Sequence, residues 1–300
     1  MSVVKNVKSQ TSIISALLAV YIFWGGTYLA MKIGIETIPP FILGGTRFLT
    51  AGLIVYIWEI CKGQKPPGKS HWLFASVLGV FMLFIGQGGI IWAQQFVPSG
   101  IAAIIFATVP LWMTLISWVW QGAERPNYFV TFGLILGFFG IVLQVKSSLM
   151  GVSVNQGNWM GYIVLILAAI SWAWGSVYSR VFRLPESPLM SIALQMLTGG
   201  AFFLVVSLLT GEWKQFDILS ISLGSLLSLG YLILFGSIIG FSAYIWLLKV
   251  ADTTMVSTYA YVNPVVAVLL GCTLAGEPIS LNDALVALLI LTSVIIISRK

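Results

Sequence analysis

Charged residues are scarce in this sequence. Only 8% of its 300 residues are Asp, Glu, Lys or Arg, whereas 59% are hydrophobic, and the mean hydropathy is +1.00. A soluble domain carries about a quarter of its residues as charges, because they solvate its surface. The composition therefore excludes a soluble globular protein and indicates a protein that lies in a lipid bilayer.

Cysteine and histidine are nearly absent. The two cysteines, Cys61 and Cys272, are far apart and lack the spacing of a metal site, so we interpret them as small packing residues. The single histidine, His71, cannot form a metal site or a proton relay by itself. We therefore expect no metal and no cofactor.

Acidic side chains are missing from the middle of the predicted membrane spans. All nine Asp and Glu residues fall at predicted helix ends or in loops. An ionisable group at the bilayer centre is costly and usually functional, so we expect no proton coupling through a midplane carboxylate. A membrane-embedded enzyme would need a nucleophile with an acid–base partner at that depth. The sequence offers none, and we predict that the protein is not an enzyme.

One loop matches a nucleotide-binding motif by its letters alone. Residues 63–70 read Gly-Gln-Lys-Pro-Pro-Gly-Lys-Ser, which fits G-x4-G-K-[ST]. That motif needs a preceding strand and a run of backbone N–H donors around the phosphate. Here membrane spans flank the loop, and Pro66 and Pro67 remove two donors. We interpret the segment as a basic loop in which Ser70 caps the third helix.

The sequence contains one long pattern twice, about 150 residues apart. The first copy consists of Gly86, Trp92, Pro110 and Glu124, and the second of Gly240, Trp246, Pro264 and Glu277. The intervals are 6, 18 and 14 residues in the first copy and 6, 18 and 13 in the second. Matching halves of this kind are typical of transporters built from internal repeats.

Apolar runs of about 20 residues predict the membrane spans. They cover residues 13–33, 41–62, 72–96, 99–121, 127–145, 159–182, 188–210, 221–248, 254–275 and 280–298. We accordingly divide the chain into a cytoplasmic tail (1–12), a first repeat (13–145), an inter-repeat loop (146–158) and a second repeat (159–298). The fold class predicted is an all-α membrane protein with ten transmembrane helices.

The basic residues predict the orientation of the chain. With a cytoplasmic N-terminus, eleven of the fifteen Lys and Arg residues fall on the cytoplasmic side, as the positive-inside rule requires. The net charge of +6 then reflects topology rather than a surface for nucleic acid. Both termini are predicted to be cytoplasmic. Since each half has an odd number of spans, the two five-helix repeats must be inverted relative to each other.

Two prolines and a set of aromatic and amide residues are the candidates for function. Pro110 and Pro264 lie within apolar runs, where proline breaks or bends a helix, and we predict that they shape the cavity or act in gating. The predicted substrate-binding residues are Trp24, Thr27, Tyr28, Gln87, Trp174, Tyr178, Tyr244, Tyr259 and Asn263. The alternative for each is interhelical packing or hydrogen bonding.

Four charged residues need separate hypotheses. Lys32 and Arg47 could attract an anionic or carboxylate-bearing solute, or they could snorkel and pair with loop carboxylates. Glu124 and Glu277 end equivalent helices of the two repeats, and we expect them in gate or cap contacts.

Several motifs resemble the two EamA domains of the drug/metabolite transporter superfamily. They are Phe-Trp-Gly-Gly-Thr-Tyr (23–28), Thr-Arg-Phe (46–48), Val-Pro-Ser-Gly-Ile-Ala-Ala (97–103), Ala-Thr-Val-Pro-Leu (107–111), Ser-Trp-Ala-Trp-Gly-Ser-Val-Tyr (171–178) and Tyr-Ala-Tyr-Val-Asn-Pro-Val (259–265). Within the superfamily the chain is most similar to inner-membrane transporters of bacteria. The resemblance implies two inverted repeats around a central cavity lined by spans 1, 3, 4, 6, 8 and 9. It also implies alternating access, usually with export of amino acids, metabolites or drugs.

These observations predict a multi-pass carrier of the cell's inner membrane that exports small organic solutes. The alternative is an importer or exchanger of small metabolites with the same fold. The expected partners are a small-molecule substrate and the lipid bilayer, with no nucleic acid. The protein is expected to act as a monomer or a homodimer, since its GxxxG segments permit close helix packing.

Overall fold

The chain folds into helices. A computed structural model describes residues 10–120, 125–150, 158–179, 181–251 and 258–298, and these residues contain no strand. The long helices are α1 (Gln10–Gly34), α2 (Pro40–Cys61), α3 (Lys69–Leu78, Gly79–Gln87 and Gly88–Ala93), α4 (Ser99–Phe106 and Val109–Trp120), α5 (Tyr128–Met150), α6 (Asn158–Tyr178), α7 (Pro188–Leu209), α8 (Leu223–Tyr231, Leu232–Ile239 and Gly240–Val250), α9 (Tyr259–Ala275) and α10 (Leu281–Ser298). Two short helical segments, Glu212–Gln215 and Ile218–Ser220, lie between α7 and α8. Each predicted span overlaps one of them. Most of the predicted tail, part of the inter-repeat loop and Glu124 lie outside the described residues.

Most of these helices have the length and apolar composition of membrane spans. By length and composition, α1 to α4 and α6 to α8 are long and apolar enough to cross a bilayer. In the described residues, α5, α9 and α10 contribute shorter apolar stretches. Large apolar side chains such as Ile22 and Leu227 are more than half exposed, which suits contact with lipid. A helix satisfies its backbone hydrogen bonds internally, so it can place these side chains in hydrocarbon.

Three pairs of equivalent helices from the two repeats lie side by side and antiparallel. Helix α2 packs along α7, α4 along α9 and α5 along α10. The amide of Gln144, towards the end of α5, donates a hydrogen bond to Asp283 at the start of α10, with an N–O distance of 2.9 Å. Glu277, just after α9, accepts hydrogen bonds at the start of α4. The start of each helix therefore meets the end of its counterpart, which is the arrangement of an inverted repeat.

Side chains from the neighbouring helix ends support the starts of α2 and α7. Glu212 follows α7 and accepts hydrogen bonds from the backbone N–H groups of Phe41 (3.2 Å) and Ile42 (3.0 Å) in the first turn of α2. At the other end of the pair, Ser187 caps α7 and donates its hydroxyl to Glu59 in the last turn of α2. Helix starts leave N–H groups unpaired. The Glu212 carboxylate supplies acceptors for α2, whereas the Ser187 hydroxyl accepts the N–H of Met190 in α7 and is itself held by Glu59.

Burial raises the pKa of the Glu212 carboxyl, although its two backbone hydrogen bonds act in the opposite direction. This carboxylate lies in the connection after α7 rather than in a span. The net direction means that ionised Glu212 is partly desolvated in the folded protein. Its stability contribution therefore depends on pH.

Both repeats contain a π-helical segment in the same span. These segments are Gly79–Gln87 in α3 and Leu232–Ile239 in α8, and the repeated glycines Gly86 and Gly240 lie at or beside their ends. In a π-helix each hydrogen bond spans one residue more than in an α-helix, and such segments often occur at functional sites. Nothing in the sequence analysis predicted them.

Two local predictions, a helix break at Pro264 and a cap at Ser70, differ from the structure. The helix of span 4 is interrupted between Phe106 and Val109, next to Pro110, whereas α9 continues through Pro264 without a break. Pro264 is the sixth residue of α9, so the carbonyl of Ala260, four residues earlier, receives no backbone N–H from it, and the helix nevertheless continues. Ser70 does not cap α3: the helix begins at Lys69 after Gly68 and has no side-chain cap.

Candidate functional site

A central cavity lies between the two repeats. Its empty volume is about 630 Å³, including the space at its open side. The lining residues are Trp24, Thr27, Tyr28, Arg47, Gln87, Ala103, Phe106, Ala107, Val109, Trp172, Gly236, Phe241, Tyr259, Ala260, Asn263 and Pro264. They come from α1, α2, α3, α4, α6, α8 and α9, so α2 is an addition to the helices that the family resemblance implied.

Helix α1 presents one face to this cavity. Trp24, Thr27 and Tyr28 are three and four residues apart, which places them on the same side of a helix. The indole Nε1 of Trp24 donates to the carbonyl of Gly236 at 3.1 Å, within the π-helical segment of α8. The Thr27 hydroxyl donates to the Trp24 carbonyl at 2.6 Å. The Trp24 bond joins α1 to α8, whereas the Thr27 bond stays within α1.

Aromatic rings form one wall of the cavity. The Trp24 ring lies 5.1 Å from that of Phe241 and 5.3 Å from that of Tyr259, both in edge-to-face contact. On the α6 side, Trp172 contacts Phe106 edge to face, with 5.8 Å between ring centroids. Such a wall favours a flat or apolar group on a ligand.

Polar groups occupy the remaining wall. Arg47 is 2% exposed and Asn263 is 6% exposed, and both lie at the cavity among otherwise apolar helices. Arg47 therefore does not snorkel, contrary to one of the two sequence interpretations. Lys32 has a different place: its Nζ donates to the Gln94 carbonyl at 2.6 Å, at the end of α3 and outside the cavity lining.

The structure brings six of the nine predicted binding residues to the cavity. These are Trp24, Thr27, Tyr28, Gln87, Tyr259 and Asn263. Pro264 also lines it, whereas Pro110 does not, although its neighbours Ala107 and Val109 do.

Trp174, Tyr178 and Tyr244 lie outside this cavity. Trp174 packs on Phe81 with ring centroids 4.3 Å apart, and it stacks on Tyr178 at 4.5 Å. Tyr244 does not line the cavity but packs against the lining residue Trp24, with 5.2 Å between the ring centroids. The two repeats therefore use their equivalent aromatic residues differently.

Several lining residues were not predicted from the sequence, among them Phe106, Trp172 and Phe241. Two of them were marked by the repeat: Trp172 is two residues before Trp174, and Phe241 follows Gly240. Phe106 lies just before the interruption at Pro110. A search around the repeated positions, rather than at them, would have found all three.

Two antiparallel helical repeats around a central cavity define a repeat-built membrane transporter. The chain belongs to the EamA-like transporter family, whose model matches residues 11–145 and 159–299. The family predicted from the sequence motifs is thus confirmed.

Individual relatives agree with this assignment. The chain is 38% identical to YedA of Escherichia coli K12, an uncharacterized inner membrane transporter, over 94% of this chain and 89% of YedA. It is 25% identical to the uncharacterized transporter YoaV of Bacillus subtilis over 94% of both chains. It is also 29% identical to protein PagO of Salmonella typhimurium over 92% of this chain and 89% of PagO. One crystal structure shares the fold, with a TM-score of 0.64 at 20% identity over 96% of both chains.

Proposed function

We propose that this protein is a carrier that exports small organic solutes, such as amino acids, metabolites or drugs, by alternating access. The observation that carries the proposal is the central cavity, which takes residues from both antiparallel repeats. A site between repeats can open to either side when one repeat rocks against the other. The lining offers no carboxylate, histidine or cysteine as a catalytic or metal-binding group among the described residues, which favours transport over catalysis.

The proposal includes ten membrane spans with both termini in the cytoplasm. All ten helices would cross the bilayer, including α5, α9 and α10. The excess of Lys and Arg on one side supports this orientation. The name of the relative YedA supports an inner-membrane location.

The moving parts are proposed to be the irregular helices. The π-helical segments of α3 and α8 and the interruption of α4 all lie next to cavity residues, namely Gln87, Gly236 and Ala107. Helices bend where their hydrogen-bond ladder is irregular, so these points can act as hinges. Pro264 supports a similar bend in α9.

A monomer is the proposed functional unit. One chain supplies the whole cavity lining. The first GxxxG face is used within the chain, because Gly133 and Gly137 lie against Ile297 and Ser293 of α10. The second, Gly236 and Gly240, lies against Trp24 and Thr27 of α1. These contacts favour internal packing over dimerisation as the role of both segments.

An untargeted profile of the growth medium tests export. Cells expressing the protein are compared with cells carrying an empty vector and with cells expressing Ala260→Trp, which fills the cavity from α9. Ala201→Trp, at an exposed position of α7, is the matched control for adding an indole. We expect a small set of related solutes to be enriched outside cells with the wild type and the control, but not with Ala260→Trp.

Other outcomes separate the alternatives. Accumulation of the solutes inside the cells would contradict export and support an importer or exchanger. Enrichment that persists with correctly folded Ala260→Trp would contradict the cavity as the binding site.

A further inference from the structure

Arg47 is a buried cation in the central cavity. It lies seven residues into α2, about 10 Å along the helix from its start. Its side chain is 2% exposed, and its Nε donates to the hydroxyl of Ser237 at 3.0 Å. The guanidinium carbon lies 4.6 Å from the centre of the Phe48 ring. The Nη1 group has no hydrogen-bond partner.

A glycine, Gly236, leaves room for the Arg47 guanidinium. Gly236 comes so close that an added Cβ would lie 3.2 Å from Arg47 Nη2 and 2.8 Å from Thr27 Cγ2. A larger residue at position 236 would therefore displace the guanidinium or close the space around it. Ser237, the hydrogen-bond acceptor, is the next residue of the same π-helical segment. The second repeat thus holds an arginine that the first repeat provides.

None of the described residues provides a counter-charge in the cavity for Arg47. It is the only charged residue among the described residues that line the cavity. The described carboxylates are Glu36, Glu59, Glu186, Glu212, Asp217, Glu277 and Asp283, all at helix ends or in loops. Arginine keeps its charge in proteins, and an unpaired buried cation is costly in a membrane. We therefore infer that a solute bound in the cavity supplies the negative charge that pairs with Arg47.

A second unsatisfied group lies in the same cavity. The Oδ1 atom of Asn263, on α9, is buried without a hydrogen-bond partner. It can accept a hydrogen bond from a ligand. Together with the aromatic wall, the cavity offers one cation, one acceptor and flat apolar faces.

We propose that the transported solute is a small carboxylate with an aromatic or flat apolar body. Its carboxylate binds the guanidinium of Arg47, and a donor group on the solute binds Asn263 Oδ1. The planar guanidinium matches a carboxylate in shape and charge. A phosphorylated solute fits less well, because phosphate sites generally combine several cationic groups. The inference rests on the proposed carrier function, since it names the cargo of that cavity.

The wild-type protein in lipid nanodiscs provides the first test. Calorimetric titration compares 3-phenylpropionate with 3-phenylpropionamide, which has the same shape without the charge. We expect the carboxylate to bind at least tenfold more tightly. Equal binding, or no binding of the carboxylate, would overturn the inference. This comparison needs no variant, so it decides the question even where a substitution prevents folding.

Variants then assign the preference to residues. Arg47→Gln is expected to weaken 3-phenylpropionate binding at least tenfold and to leave the amide within about twofold. Lys32→Gln is the matched control, because Lys32 is a neighbouring cation outside the cavity lining. If Lys32→Gln removes the preference and Arg47→Gln does not, the inference is wrong.

L-phenylalanine tests the role of Asn263, since it adds an ammonium donor to the same body. Tighter binding of L-phenylalanine than of 3-phenylpropionate, abolished by Asn263→Leu, would support the assignment. An unchanged ratio in Asn263→Leu would overturn that part of the proposal.

Flux into proteoliposomes separates this inference from the carrier function. Saturable flux of both probes at equal rates would refute the preference for carboxylates and leave the carrier intact. Selective binding without any flux would instead refute the carrier.

Discussion

Removal of the Glu277 side chain should loosen the start of α4. In the structure, Glu277 Oε1 accepts the backbone N–H of Ser99 at 2.9 Å. Its Oε2 accepts the Ser99 hydroxyl at 2.8 Å and the N–H of Gly100 at 3.3 Å. Ser99 is fully buried, so Glu277→Ala leaves its donors without a partner. This cap connects the end of α9 to the helix that carries Ala103 and Phe106 of the cavity lining.

The expected cost follows from these three bonds. A hydrogen bond to a charged group contributes about 1.5–3 kcal/mol, and the loss of a helix cap costs about 0.5–2 kcal/mol. The three bonds share one carboxylate and are not additive, and Glu277 is partly exposed. We therefore expect Glu277→Ala to lower the free energy of unfolding by about 2–3 kcal/mol. Glu277→Gln retains one acceptor and should cost about half as much.

Equilibrium unfolding in mixed micelles, titrated with SDS and followed by tryptophan fluorescence, measures this loss. Glu186→Ala, at an exposed loop position, is the control for removing a carboxylate. A loss below about 0.5 kcal/mol for Glu277→Ala, the range of ordinary surface substitutions, would refute the capping argument.

Three further predictions concern pH, an indole hydrogen bond and a proline. Burial raises the pKa of Glu212, so the stability linked to its protonation is fully present below the ordinary value of 4.5 and is lost as pH rises through the raised value. The melting temperature of the wild type should therefore rise relative to that of Glu212→Gln as pH falls from neutral towards 4.5. A difference in melting temperature that stays constant with pH would contradict this. Trp24→Phe keeps an aromatic ring at this position but loses the 3.1 Å bond to the Gly236 carbonyl, so it should cost about 1 kcal/mol or more in the micelle assay, while Trp58→Phe at a half-exposed site should cost less. Pro264→Ala should keep the fold but slow proteoliposome transport by about tenfold or more, because alanine adds a backbone N–H that can complete the hydrogen-bond ladder of α9 and stiffen the helix; unchanged transport would contradict a role of Pro264 in gating.

Several large features of this protein could be predicted from the sequence because they repeat or follow composition. Low charge and long apolar runs require helices in a membrane, since only helices and closed barrels satisfy their backbone there. The pattern from Gly86 to Glu124 recurs from Gly240 to Glu277, and an odd number of predicted spans in each half requires inversion. The face of α1 with Trp24, Thr27 and Tyr28 followed from helical periodicity alone.

The tertiary structure decided which of these residues share a site. Trp172 lines the cavity whereas Trp174 does not, because two residues along a helix differ by about 200° in direction. No recognisable sequence motif marks the two π-helical segments, since packing against neighbouring helices can impose this geometry. The partner of Arg47 is Ser237, 190 residues further along the chain. Periodicity and repeats report the neighbours of a residue along its own helix, whereas a cavity is made by side chains from different helices, and only their packing brings those together.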